Sequence, residues 1–245
     1  MQAMLFVKPF IIILLLAVTL MSCGGTNEVI VVRPIDDLWD EAYKNIERER
    51  YADAAELFLD IDNSYPASSA APDALIMAAY SQYKARDFAG TIMSIDKFMR
   101  FHPGHPDVPY VLYLRGMSFY RQVSDVRRDP GMSGLALQAF MQLIQRFPDS
   151  EYAKNAQNKV TILKNYIAGK IMYSVRRELA RHNFPTAITN LQNLVVSFPE
   201  TQMMPEALLR LTEAYRAIGL SDQADGYGEM LRMNFPDNEW TGQLK

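Results

Sequence analysis

Side chains that could do chemistry are few in this sequence. Its 245 residues include one cysteine, Cys23, and three histidines. A single cysteine cannot form an intramolecular disulfide, and it argues against a cysteine-based zinc site. His102 and His105 could form a metal-binding pair, but the sequence offers them only Asp107 as a nearby partner. We favour a turn around Pro103 instead, and we predict no metal site and no cofactor.

Motifs for catalysis are also absent from the sequence. It contains no phosphate-binding loop, no G-x-G-x-x-G, no H-E-x-x-H and no G-x-S-x-G. The composition is globular, with 49% hydrophobic and 22% charged residues, and the formal net charge of −3 provides no broad basic surface for nucleic acid. We therefore predict a protein that has no catalytic residues, binds no nucleic acid and acts by binding other proteins. An enzyme that uses the scattered histidines and acids is the weakest alternative.

The amino-terminal segment has the pattern of a secretion signal. Lys8 is followed by an unbroken apolar run over residues 10–20, which has the length of a signal-peptide core and is short for a membrane span. The run leads into Leu20-Met21-Ser22-Cys23, which resembles the lipobox of bacterial lipoproteins. We therefore predict a lipoprotein signal peptide over residues 1–22.

The lipobox resemblance implies that Cys23 is modified. In such proteins the thiol receives a diacylglyceryl group, and the amine that cleavage exposes is acylated. Acyl chains of this kind anchor a protein without spanning the bilayer. Gly24 stands where an aspartate would retain the protein in the inner membrane, which implies the periplasmic side of the bacterial outer membrane. Residues 23–35 would form the tether, and an unmodified cysteine after a signal anchor is the alternative.

The rest of the chain repeats an aromatic residue closely followed by proline. Five such stops occur, and they end at Pro66, Pro103, Pro148, Pro199 and Pro236. Counting back twelve residues from each proline finds a small residue, Ala or Thr, and counting back five finds a large apolar one. These intervals place both positions on one stripe of a helix, which the proline then ends.

This pattern resembles the second helix of a tetratricopeptide repeat, and a first helix should precede each copy. Segments suited to that role are 36–48, 72–85, 108–123, 152–181 and 205–218. The sequence therefore predicts an all-α fold, an α-solenoid of about five tetratricopeptide-like helix hairpins, with an ordinary helical bundle as the alternative. Segment 152–181 could be one extended helix or two that break at Gly169. Residues 124–134 would be an insertion in repeat three.

Aromatic side chains on the first helices are the candidates for a binding surface. Solenoids of this kind expose a concave face, and Tyr, Trp and Arg are the residue types that dominate interface hot spots. The alternative for each aromatic residue is packing between repeats. Candidates for a peptide-binding groove are Trp39, Tyr43, Tyr80, Tyr83, Tyr113 and Arg115, with Tyr110 beside them.

Four stretches together resemble one family of bacterial lipoproteins. They are YADAAELFLDIDNSYPAS, SIDKFMRFHPGHPDVPYVLYLRGMSFY, ALQAFMQLIQRFPDSEYAKNA and EALLRLTEAYRAIGLSDQA. The second stretch is the most distinctive, because D-x-F-x-R-x-x-P-x-H-P is followed by Y-V-x-Y-x-R-G over residues 96–116. Behind a lipobox, this combination is similar to the BamD family, also called ComL or YfiO, of outer-membrane assembly lipoproteins.

The resemblance implies a function and a set of partners. Members of this family are non-enzymatic subunits of the machinery that folds β-barrel proteins and inserts them into the outer membrane. Repeats one to three, residues 36–150, would receive segments of unfolded barrel substrates. Repeats four and five, residues 151–245, would dock on a POTRA domain of the barrel subunit BamA and on other lipoproteins of the complex. Candidates for the barrel-subunit interface are Asn190, Arg210, Glu213 and Arg216.

The chain departs from the family pattern at Asn190. Relatives usually carry an arginine there that pairs with an acid of the POTRA domain, so this contact loses its charged partner. The sequence also leaves open a different function, that of an envelope repeat lipoprotein that scaffolds peptidoglycan synthesis or cell division. Such a protein would share the lipobox and the repeats.

Overall fold

The computed structural model describes residues 33–123 and 131–244, which form helices joined by short turns and contain no β-strand. None of the helices in these ranges is long and apolar enough to cross a membrane. The predicted signal peptide, the lipidation at Cys23 and most of the tether lie outside the described residues. In chain order the helices are α1 (Ile35–Glu47), α2 (Tyr51–Ser64), α3 (Ala71–Lys84), α4 (Phe88–Phe101), α5 (Val108–Tyr120), α6 (Met132–Arg146), α7 (Glu151–Ala180), α8 (Phe184–Ser197), α9 (Met204–Ala217) and α10 (Ser221–Asn234), followed by a 3₁₀ turn (Thr241–Gln243).

The helices form five hairpins, α1–α2, α3–α4, α5–α6, α7–α8 and α9–α10, and each helix packs against the next one along the chain. The predicted all-α solenoid of tetratricopeptide-like hairpins is confirmed. The predicted first helices agree with the structure to within three residues at either end. α6 begins at Met132, so the last three residues of the predicted insertion are helical.

The repeated stripe forms the core of each hairpin. The small residues at the repeated position, Ala54, Thr91, Ala136, Ala187 and Ala224, are completely buried. So are the large apolar residues that follow them, Ile61, Phe98, Leu143, Leu194 and Leu231. Small side chains let the partner helix approach closely, and the large ones fill the space between neighbouring hairpins.

The five proline stops make equivalent turns between hairpins. In the first, the Tyr65 N–H donates to the Ile61 carbonyl at 2.9 Å and ends α2, and the Tyr65 carbonyl accepts from the Ser68 N–H at 2.9 Å. The same pair of bonds recurs at the other four stops. His102 takes the aromatic residue's place in the second turn, and its carbonyl accepts from the His105 N–H at 3.1 Å.

The turns inside four of the hairpins share a left-handed residue. Positive φ angles occur at Glu49 (56°), Arg86 (64°), His182 (56°) and Gly219 (80°), each two residues before a second helix. At Gly219 its own N–H bonds to the Arg216 carbonyl, and the following N–H bonds to the Tyr215 carbonyl; the other three turns repeat this pattern. This is the Schellman motif, which satisfies the last carbonyls of a helix.

One helix, α7, belongs to two cores. Its first half contributes Ala156 and Leu163 to the core that also contains Phe140 of α6. Its second half contributes Met172 and Val175 to the core of repeats four and five. The 30 residues are a single helix about 45 Å long, without a break at Gly169. The open question of one helix or two is therefore resolved in favour of one.

Candidate functional site

Five tyrosines come together on the first helices of repeats two and three and at the start of α7. They are Tyr80, Tyr83, Tyr110, Tyr113 and Tyr152, and we refer to them as the tyrosine cluster. The Tyr152 ring lies 5.5 Å from that of Tyr110 and 5.7 Å from that of Tyr113. Burial raises the pKa of the Tyr110 phenol well above its usual range, and the nearby phenols of Tyr80, Tyr152 and Tyr83 raise it further. The Tyr110 phenol therefore stays uncharged at neutral pH, and the cluster offers apolar ring faces with hydroxyl tips.

Two basic side chains border the tyrosine cluster. The Lys159 ammonium lies 5.6 Å from the centre of the Tyr113 ring, which is close enough for a cation–π interaction. On the other side, Arg121 donates from Nε to the Tyr83 hydroxyl at 3.2 Å. Tyr152 and Lys159 were not among the sequence candidates, because they belong to the fourth hairpin in sequence and reach the cluster only through the length of α7.

The candidates of repeat one form a separate pair. Trp39 and Tyr43 are stacked with ring centres 5.7 Å apart, and both rings contact the buried Phe58 edge-on. Tyr43 is 48% exposed, whereas Trp39 is half-buried. Within the described ranges, no aromatic contact joins this pair to the tyrosine cluster.

Arg115 does not face the same way as the tyrosines. It follows Tyr113 by two residues, which places it about 200° around α5. Its Nη2 lies 3.4 Å from Oδ1 of Asp96 on α4, and its Nε is buried without a hydrogen-bond acceptor. The structure thus separates Arg115 from the rings with which the sequence grouped it.

In the carboxy-terminal half, an ion network connects the first helices of repeats four and five. Glu206, which is 4% exposed, accepts from Nε of Arg176 at 2.9 Å and also from Nη2 of the same arginine. Arg210 extends the network, with its Nε 3.7 Å from Glu206 and its Nη1 donating to Glu213 at 2.7 Å. The hydrogen bond that Arg176 donates to Glu206 raises the pKa of the Arg176 guanidinium above its usual value.

The network borders a pocket of about 440 Å³ between α7, α8 and α9. Of the sequence candidates for the barrel-subunit interface, Arg210 and Glu213 line this pocket. Arg216 instead pairs with Asp225 of α10 at 3.3 Å, and Asn190 lies half-buried on α8. The structure therefore brings two of the four candidates together. Sequence reasoning missed Arg176 and Glu206, because nothing in a charge pattern shows that residues 30 positions apart share a bidentate bond.

One group of side chains has the composition of a metal site. Ligand atoms of Asp73, His105 and Asp107 all lie within 4.8 Å of one another. Nδ1 of His105 accepts the Asp107 backbone N–H at 3.2 Å, which leaves Nε2 as the available ring nitrogen, 3.8 Å from Asp73. Asp73 comes from α3, so it could not be predicted from the local sequence around the two histidines.

Together these features define a class of protein: a tetratricopeptide-type helical repeat protein that carries an aromatic cluster on repeats two to four and a charged pocket between repeats four and five. The chain belongs to the YfiO family of outer membrane lipoproteins, because that family's model matches residues 33–230. The resemblance found in the sequence is therefore confirmed.

Individual relatives agree with this family assignment. The chain is 31% identical to the outer membrane protein assembly factor BamD of Rickettsia prowazekii over 210 residues, which covers 86% of this chain and 84% of that protein. The BamD of Caulobacter vibrioides is 30% identical over 230 residues, with 92% and 75% covered. The BamD of Vibrio cholerae is 28% identical over 231 residues, with 90% and 96% covered.

Proposed function

We propose that this protein is a non-enzymatic subunit of the machinery that assembles β-barrel proteins into the bacterial outer membrane. Its membership of the YfiO family and the name shared by its relatives support this role. The observation that carries the proposal is the tyrosine cluster, because half-buried rings with hydroxyl tips suit an extended, aromatic-rich segment of an unfolded barrel. Trp39 and Tyr43 would extend the groove into repeat one.

The binding we propose at the cluster is weak and reversible. An unfolded segment gives up conformational entropy when it becomes ordered in the groove, and this cost reduces the net affinity. Modest affinity allows release to the barrel subunit without ATP. Residues 36–150 would thus receive the substrate, and residues 151–245 would hold the complex together.

The docking half would use the charged pocket and its surroundings. For contact with a POTRA domain of a BamA-like subunit we propose Arg210, Glu213 and Arg216. Asn190 would lie at the same interface, in the place where relatives usually carry an arginine. Other lipoproteins of the complex are further partners. A lipid on Cys23 would hold the protein at the periplasmic face of the outer membrane.

Peptide binding by the full-length protein in detergent micelles tests the substrate role. The probe is a fluorescein-labelled peptide from the carboxy terminus of an outer-membrane barrel, measured by fluorescence anisotropy. We expect Tyr80→Ala to raise the dissociation constant at least fivefold, because a hot-spot ring contributes about 1 kcal/mol or more. The matched control is Tyr227→Ala, since Tyr227 is also half-buried but stacks on Tyr215 in repeat five. Equal affinity in the wild type and both variants would refute the substrate groove.

The alternative function, a scaffold for peptidoglycan synthesis or division, predicts different partners. Purification of the acylated protein from solubilised membranes distinguishes the two. A large β-barrel subunit that copurifies in stoichiometric amounts supports assembly, and a peptidoglycan synthase in its place supports the scaffold.

A further inference from the structure

The exposed face of α6 has an unusual composition. It carries Leu135, Gln138, Met141, Gln142 and Gln145, and we call it the α6 face. Leu135 is 42% exposed and Met141 is 49% exposed. α6 has no charged residue before Arg146, although 22% of the chain is charged. Depletion of charge together with exposed methionine is the composition of a protein interface rather than of a solvated surface.

Two hollows adjoin on this face. One, of about 470 Å³, is lined by α6 residues that include Gln138, Met141 and Gln142. The other, of about 110 Å³, lies between α5 and α6 and is lined by Arg115, Phe119, Leu135, Gln138, Ala139 and Gln142. Gln138 and Gln142 belong to both, so the two hollows form one continuous surface along the helix.

Arg115 supplies the charge that the α6 face lacks. A guanidinium has five N–H donors, and those of Arg115 are poorly satisfied. Asp96 lies 3.4 Å from Nη2, longer than the 2.7–2.9 Å typical of a charge-assisted hydrogen bond, and Nε is buried without an acceptor. The Arg115 side chain is 31% exposed and lines the smaller hollow, so part of its guanidinium is open to an incoming carboxylate.

We propose that the α6 face and Arg115 bind an extended segment of a partner protein that carries an acidic side chain. The carboxylate pairs with the Arg115 guanidinium, the amides of Gln138 and Gln142 bond to the backbone of the segment, and an apolar side chain packs beside Leu135 and Met141. Because Arg115 points away from Tyr113 around α5, this site is separate from the tyrosine cluster. The two sites can therefore be occupied at the same time.

A purely structural role for Arg115 makes the opposite prediction about Asp96. If the pair only connects α4 to α5, removing the Asp96 carboxylate lowers the stability of the fold and does not raise the affinity for an acidic peptide. If Asp96 competes with a ligand for the guanidinium, Asp96→Asn strengthens binding of an acidic peptide. The two roles are thus distinguished by the direction of one change in affinity.

The test uses two fluorescein-labelled octapeptides, one of alternating Glu and Val and one of alternating Gln and Val, with the full-length protein in maltoside micelles. We expect the Glu peptide to bind at least tenfold more tightly than the Gln peptide, and Arg115→Gln to abolish this difference. Gln142→Glu keeps Arg115 and places a negative charge beside it, so it should lower the affinity for the Glu peptide tenfold. Because Gln142 is exposed, this variant should remain folded. Asp96→Asn should raise the affinity for the Glu peptide about threefold, and Tyr80→Ala should leave that affinity unchanged.

Three results would overturn the proposal. They are equal affinity for both peptides, no gain in affinity from Asp96→Asn, and loss of Glu-peptide binding in Tyr80→Ala. The last result would assign acidic segments to the tyrosine cluster. Circular dichroism of each variant shows whether the fold is retained. If Arg115→Gln does not fold, the affinity of Gln142→Glu for the Glu peptide tests the proposal in its place.

Discussion

Single residues show where this fold tolerates no change. Gly116 follows Arg115 in the distinctive Y-V-x-Y-x-R-G stretch, and a Cβ atom placed on it would lie 2.5 Å from the ring of the buried Phe140. The close approach of α5 to α6 therefore depends on the missing side chain. Gly169 is the contrasting case, since no atom beyond its chain neighbours and the adjacent backbone of α7 lies within 4 Å of a Cβ placed there.

We expect alanine substitution at the two glycines to change the free energy of unfolding in opposite directions. Gly116→Ala should lower the free energy of unfolding by roughly 1–3 kcal/mol, because α5 or the Phe140 ring must move. Gly169→Ala should raise it by about 0.5–1 kcal/mol, because alanine is the better helix former. Urea denaturation followed by circular dichroism measures both. A neutral Gly116→Ala would mean that the α5–α6 contact is looser than the structure shows.

Glu206 is the second residue on which stability depends. Its carboxylate is buried and receives two hydrogen bonds from Arg176, with Arg210 close by. Glu206→Gln removes the charge but keeps the shape, so it should cost about 1–3 kcal/mol of unfolding free energy. Glu229→Gln is the matched control: Glu229 forms an exposed pair with Arg232, and its loss should cost less than about 0.5 kcal/mol. Equal effects in urea denaturation would contradict the importance of burial at Glu206.

The sequence predicted residues on the repeated stripe better than it predicted residues in the sites. The large apolar residues Ile61, Phe98, Leu143 and Leu194 each stand five residues before a proline, and that interval is a local property of one helix. Tyr152, Asp73 and Glu206 contact partners on other helices, at separations that no local period encodes. Arg115 was grouped with the tyrosines by residue type, and only its position around α5 separates it from them.

At the scale of elements, the hairpins were predictable because each one begins and ends on its own signals. A proline follows the end of every second helix, and Gly219, the residue type that favours a left-handed cap, stands in the Schellman turn that ends α9. The same turn at Glu49, Arg86 and His182 carries no glycine, so its left-handed residue could not be read from residue type. The length of α7 also could not be decided, because a glycine at position 169 is compatible with both a break and a continuous helix.

The continuity of α7 predicts that the two halves of the protein unfold together. Its side chains lie in both cores, so loss of one core removes part of the other. Gly169→Pro should uncouple them, because proline in the interior of a helix costs about 3 kcal/mol or more. Hydrogen exchange in increasing urea measures this through peptides from α4 and α10. In the wild type and in Gly169→Ala, both peptides should lose protection from exchange at the same urea concentration. In Gly169→Pro, the two peptides should lose protection at different urea concentrations.

Separate transitions in the wild type would contradict this coupling. The cores would then behave as independent units joined by a helix that frays at Gly169. The two halves that we propose for substrate binding and for docking would then be mechanically independent, and a change in one half could not reach the other through α7.

At the scale of the whole molecule, the described residues present three distinct surfaces on one repeat scaffold. The tyrosine cluster and the α6 face lie on different sides of α5, and the charged pocket lies beyond the middle of α7. Repeat proteins suit such a division, because each hairpin contacts only its neighbours and its remaining surface is free for partners. The role we propose, in which the protein receives a substrate while it is held in a complex, needs this separation.

Depletion of the protein in its own bacterium tests the central proposal most directly. Folded barrel proteins in the outer membrane are quantified by their heat-modifiable migration on gels, and peptidoglycan synthesis by incorporation of a labelled precursor. We predict that folded barrels fall several-fold within a few generations while precursor incorporation continues, and that wild-type protein restores the barrels. Unchanged folded barrels together with reduced precursor incorporation would contradict the assembly role and favour the scaffold.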